Sequence, residues 1–107
     1  MDAKLVEALR EANRHELVET LREARALLAR PGNDFGWSSW KGPDDALREL
    51  DEKIAAVISG RLPERRDLAI LFAPTGPIQE VSVGGGWESE FLAVSRRLDA
   101  AAAQVYK

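Results

Sequence analysis

The sequence predicts an α+β fold: a single domain over residues 1–107, ordered α-α-β-β-α, with three helices packed on an antiparallel β-hairpin. Three observations carry that expectation. Two long segments, 2–29 and 43–59, have no interior proline or glycine and repeat their apolar residues with helical period. The stretch Leu68–Val83 holds two short apolar runs on either side of Pro74-Thr75-Gly76-Pro77, the pattern of a hairpin. A third periodic segment, Trp87–Val105, follows three consecutive glycines.

In the first segment Leu5, Val6, Leu9, Leu17, Leu21, Ala24, Leu27 and Leu28 fall on one broad face of a helix. Glu7/Arg10, Glu11/Arg14 and Glu19/Arg22 stand three apart, where opposite charges support an exposed face. Asn13 interrupts the stripe, and Asn13-Arg14-His15-Glu16 has the form of a capping box able to begin a second helix. Leu9 and Leu17 keep the stripe in phase across it, which favours one continuous helix. Arg30-Pro31-Gly32-Asn33 ends the segment.

Residues 31–42, PGNDFGWSSWKG, form a loop by composition yet hold Phe35, Trp37 and Trp40. So long a loop in a small domain is expected to be functional or held by its own side chains. Pro43 at a first helical position, with Asp44 and Asp45 behind it, starts the second helix. Leu47, Leu50, Ile54, Val57 and Ile58 form its stripe, and Gly60 stops it.

Leu68–Ala73 and Ile78–Val83 then read as paired strands. A three-residue loop, Pro74–Gly76, would set Glu80 and Ser82 beside Leu68, Ile70 and Phe72. A four-residue loop, Pro74–Pro77, gathers Leu68, Ile70, Phe72, Val81 and Val83 on one face. The second is preferred, because a one-residue slip inverts every side chain. Two strands alone are marginal, so either the 33–40 loop or a second copy of the chain is expected to extend them, or the helices to cover them. The last helix carries Trp87, Phe91, Val94, Leu98, Ala101 or Ala102, and Val105 at steps of three or four, with Glu88 and Glu90 in its first turn.

Several function classes lose support. A net charge of -3 and the lack of a basic helix argue against nucleic acid as a partner. No run approaches the ~18 apolar residues of a membrane span, and residues 1–30 lack the apolar centre of a signal peptide. The chain has no cysteine, hence no thiol chemistry or disulfide framework, and a cytoplasmic location is expected. Gly84-Gly85-Gly86 matches no phosphate-binding loop, and Glu88 and Glu90 would repel an anion there; a tight turn that folds Trp87 inward is expected. His15 lies opposite the apolar stripe with no orienting group. Asp44/Asp45, Asp51/Glu52 and Glu88/Glu90 suit helix starts better than convergent chemistry, so neither a metal site nor a cofactor is expected. Arg61, Arg65 and Arg66, even with Arg96 and Arg97, are diluted by Glu64 and Asp67. Ser38 and Ser39 have no nucleophile elbow or histidine partner.

Phe35, Trp37, Trp40 and Trp87 remain as candidate binding residues, because tryptophans concentrate at binding hot spots and function concentrates on loops. Trp37 and Trp40 read somewhat better as a lid on the core, a role compatible with binding. The leading expectation is a non-catalytic protein-interaction module, binding a partner protein in the manner of an inhibitor or immunity protein, or self-associating as a homodimer. The alternative is a small-ligand-binding protein or enzyme whose pocket is lined by Trp37, Trp40 and Trp87.

Overall fold

The structure, a computed structural model, describes residues 2–107. Among them are five helices and no strand: α1 (Ala3–Leu28), α2 (Pro43–Ser59), α3 (Arg65–Leu71), α4 (Pro77–Gly85) and α5 (Glu88–Val105). The α+β expectation is therefore wrong, and the class is all-α.

The error lies in Leu68–Val83. The first run belongs to α3 and the turn after it, the second to α4. Buried residues are Leu68, Leu71 and Phe72 in the first, then Ile78, Val81 and Ser82 in the second. Both sets are spaced i, i+3, i+4. Ile70 and Val83, assigned above to the apolar face of a hairpin, are each 55% exposed. Runs this short satisfy period 2 and period 3.6 together, so cover decides between them. A lone hairpin leaves both edges unpaired, whereas a helix satisfies its own backbone. Pro77 stands at the first position of α4 behind Gly76, Glu80 lies in its first turn, and Gly86 closes it in the left-handed conformation at φ 75°. With no sheet present, neither the 33–40 loop nor a second copy has a strand edge to extend.

Helix α1 is unbroken. Asn13 does not cap a second helix; its Nδ2 donates back to the Leu9 carbonyl at 3.0 Å. Asp2 caps the true start, its Oδ1 accepting from the Lys4 N–H at 3.0 Å. The Glu11–Arg14 and Glu19–Arg22 pairs form, at 2.9 and 3.0 Å. Helix α1 lies between α2 and α5 and packs on both, while α4 rests against α5 and α1.

The core follows from these stripes. Leu17, Leu21 and Leu28 of α1 meet Leu50 and Val57 of α2, Leu68 of α3, Ile78 and Val81 of α4, and Phe91 and Leu98 of α5 in one buried cluster. Phe72 stacks on Phe91, with ring centroids 6.2 Å apart and planes 11° from parallel. Each such burial contributes about 1.5–3 kcal/mol. The half-exposed ion pairs across the helices are screened by solvent and contribute little. Stability therefore comes from the core, and the ion pairs act mainly on register.

That register is antiparallel along α1 and α5. Arg30 binds Glu90 through both guanidinium nitrogens, at 2.6 and 3.3 Å, and Arg97 reaches Glu23 at 2.6 Å and Glu16 at 2.8 Å. Arg25 similarly clamps Asp51 of α2, at 2.6 and 3.2 Å. Helix α1, about 39 Å long at 1.5 Å per residue, outruns α5 at about 27 Å. Its first turns therefore project past the end of α5, on a molecule measuring 49 × 24 × 22 Å. None of the described helices is long and apolar enough to cross a membrane.

Candidate functional site

The loop between α1 and α2 is fixed residue by residue. Asn33 stands just past α1, and its Nδ2 donates to the Leu27 and Leu28 carbonyls at 2.9 and 3.1 Å, satisfying acceptors that a helix end leaves free. Its Oδ1 accepts the indole N–H of Trp87 at 2.8 Å. Asp34 turns the chain by accepting from the Gly36 N–H at 2.8 Å. The Ser38 hydroxyl donates to the Phe35 carbonyl at 2.8 Å and accepts from the Trp40 N–H at 3.2 Å. Lys41 N–H donates to Asp45, and the Trp40 indole donates to Glu49 at 2.6 Å, both on α2.

These bonds separate the four aromatic candidates. Phe35 and Trp40 are buried, edge to face at 6.4 Å and 61°, and lid the core. Trp87 is buried to 2% exposure beneath the loop. Trp37 alone points out, 84% exposed. Phe35 and Trp40 thus sit together, Trp87 is tied to the loop through Asn33, and Trp37 stands apart from all three. Trp40 lines a shallow polar cleft together with Asp45, Arg48, Glu49, Glu52 and Lys53.

The triple glycine serves this arrangement. Gly84 and Gly85 finish α4 and Gly86 turns the chain, so that Trp87 folds under the loop. A Cβ on Gly85 would lie within 2.5 Å of Asn33 Oδ1 and closer still to Trp87 Nε1. Glycine is required there because the Trp87–Asn33 bond passes over its backbone. Asn33 is a residue that the sequence reading took only as a helix stop. The signal that marks it is a polar amide just past a helix end, opposite a tryptophan 54 positions away that needs an acceptor.

Other candidates have structural occupations. Arg97 is held by Glu16 and Glu23 on α1, so it does not join Arg61, Arg65 and Arg66. Hydrogen bonding from Arg25 and Arg30 holds the Asp51 and Glu90 carboxyls below the usual carboxylate range. Tyr106 is raised by burial, with its hydroxyl donating to the Pro63 carbonyl and fastening the end of α5 to the α2–α3 link. His15 is exposed on a shallow depression of 180 Å³ beside Arg14, Arg22 and Ile58. Among the described residues, no group of three or more His, Asp or Glu side chains converges as a metal site.

Two larger grooves flank α5. One, of 380 Å³, has Ala26, Leu27, Ala93 and Val94 as its floor and includes the Arg30–Glu90 and Glu23–Arg97 pairs in its walls. The other, of 500 Å³, lies where the first turns of α1 pass the last turn of α5.

No protein-family model matches the chain, and no curated protein or solved structure is significantly similar to it.

Proposed function

We propose that this chain is a non-catalytic protein-interaction module that engages a partner protein through Trp37. The supporting observation is the contrast within one loop: an indole left 84% exposed while Phe35 and Trp40 beside it are buried. Leaving that much apolar surface in water forgoes the burial available to a tryptophan. The loop that carries it is fixed by Asn33, Asp34, Ser38 and Trp40. A rigid support lowers the ordering cost of association, and tryptophan is the residue type most enriched among binding anchors. A chain with no cysteine suits the reducing cytoplasm, where we place this interaction.

The test is a quantitative pull-down from the source cell, comparing the wild-type chain with Trp37→Ala and with Ile58→Ala. Ile58 is an exposed control on α2. A partner that is lost with Trp37→Ala and kept with Ile58→Ala supports the reading. If every partner survives Trp37→Ala, the reading fails.

A further inference from the structure

The opposite end of the molecule carries a second unfilled surface. Glu90 lies against Arg30 and Arg97 against Glu23, so α5 ends beside Leu9 and Asn13. The apolar stripe of α1 nevertheless continues beyond that point. Leu5 is 51% exposed and Leu9 48%, on turns that Asp2 caps. Isolated helical turns gain little without a packed face, and these carry two leucines that stay about half exposed. Val6, Leu9 and Val105 form the apolar part of the 500 Å³ groove, and its charged side chains are Arg10, Arg14 and Lys107, with no Asp or Glu side chain in the lining. Arg14 is engaged by Glu11, whereas Arg10 and Lys107 make no ion pair among the described residues.

We propose that this groove, between the first turns of α1 and the last turn of α5, docks an acidic amphipathic helix of a partner protein. Its apolar row would continue the packing that α5 begins, over Leu5 and Leu9, and its carboxylates would meet Arg10 and Lys107. A second copy of this chain fits poorly, because a two-fold interface sets the same cationic lining against itself. An anionic membrane fits poorly as well, since Arg10, Arg14 and Lys107 line a concave groove rather than an outward face. The inference is independent of Trp37, which lies at the other end of α1.

The experiment is fluorescence anisotropy on the full chain with two labelled synthetic helices, each about 20 residues long so as to hold helix in water. One carries a leucine stripe flanked by glutamates; in the other, lysines replace the glutamates. The acidic peptide is expected to bind about tenfold or more tightly than the basic one, and more weakly as salt rises. Amide shifts on binding should localise to residues 5–14 and 104–107. Leu5→Ser with Leu9→Ser should weaken binding about tenfold or more, and Trp37→Ala should leave it unchanged. Should the double variant lose helicity, Arg10→Glu alone decides, with weaker binding of the acidic peptide expected. Equal affinity for both peptides, no binding of the acidic one, or shifts elsewhere would overturn the proposal. So would binding of anionic vesicles through Leu5 and Leu9, or a dimer in sedimentation that those serines abolish.

Discussion

Asn33→Ala is expected to destabilise the fold by about 2–3 kcal/mol, although Asn33 is a loop residue and only partly buried. The amide makes three bonds at once: two donated to the end of α1 and one accepted from the Trp87 indole. A typical bond contributes about 0.5–1.5 kcal/mol, and a buried donor left without an acceptor costs about 1–3 kcal/mol. Trp87 is almost wholly buried, so its N–H falls in the second category, whereas the truncation opens the two carbonyls at the end of α1 to water, which restores most of their loss. Urea denaturation followed by far-UV circular dichroism measures the change. In a Trp87→Phe background there is no indole N–H to orphan, and the same Asn33→Ala change should cost only about 1 kcal/mol. Asn33→Asp keeps an acceptor for Trp87 but turns a carboxylate toward the Leu27 and Leu28 carbonyls, so it should destabilise more above its own pKa than below it. A cost for Asn33→Ala under about 0.5 kcal/mol, or an equal cost in both backgrounds, would refute the assignment.

Gly85→Ala inverts the usual helix rule. Alanine normally gains about 1 kcal/mol over glycine inside a helix, but here the new methyl collides with Asn33 and Trp87, so a lower urea midpoint is expected. Trp37→Ala should change stability by less than about 0.5 kcal/mol, as surface substitutions do. Trp40→Ala, which removes a lid and the bond to Glu49, should cost about 3 kcal/mol or more by the same denaturation assay. Acid should weaken the helix pairing. Asp51 and Glu90 are depressed by their arginine partners, so their contribution is present above the unfolded pKa and is lost as pH falls through the folded one, below about pH 4. The double variant Asp51→Asn, Glu90→Gln should show a shallower decline in urea midpoint over that range than the wild type.

The long helices were legible because their period repeats over four or more turns and their ends carry strong signals. Pro43 and Gly60 bound α2 as read, and Asp2 through Leu28 kept one phase despite Asn13. The Leu68–Val83 stretch was not, for a definite reason. Leu68, Ile70 and Phe72 alternate while Leu68, Leu71 and Phe72 are helical, and six residues cannot separate the two patterns. Helix signals were present in Asp67, Pro77 and Glu80, but the apolar alternation outweighed them. At the candidate site, the aromatic loop was legible as a whole and its members were not. Trp40 is buried by a carboxylate nine residues on, and Trp87 by an amide 54 residues back. Those partners exist only after the helices have packed, so local pattern gives Trp37 no mark of its own.

The same packing decides what the far end exposes. Helix α5 ends beside Leu9 and Asn13, so Leu5 and Leu9 stay about half exposed. The register that sets this end is held by Phe91, Val94 and Leu98 packed in the core, by Arg30–Glu90 and the double hold of Arg97, and by the Trp87 indole anchored to Asn33. The indole resists displacement strongly, because moving it would orphan a buried donor as well as empty a large position in the core. The hydrogen bond beside the aromatic loop thus acts with the core and the ion pairs to fix the register of α5. That register leaves Leu5 and Leu9 uncovered at the other end, where a partner helix can add the missing turns.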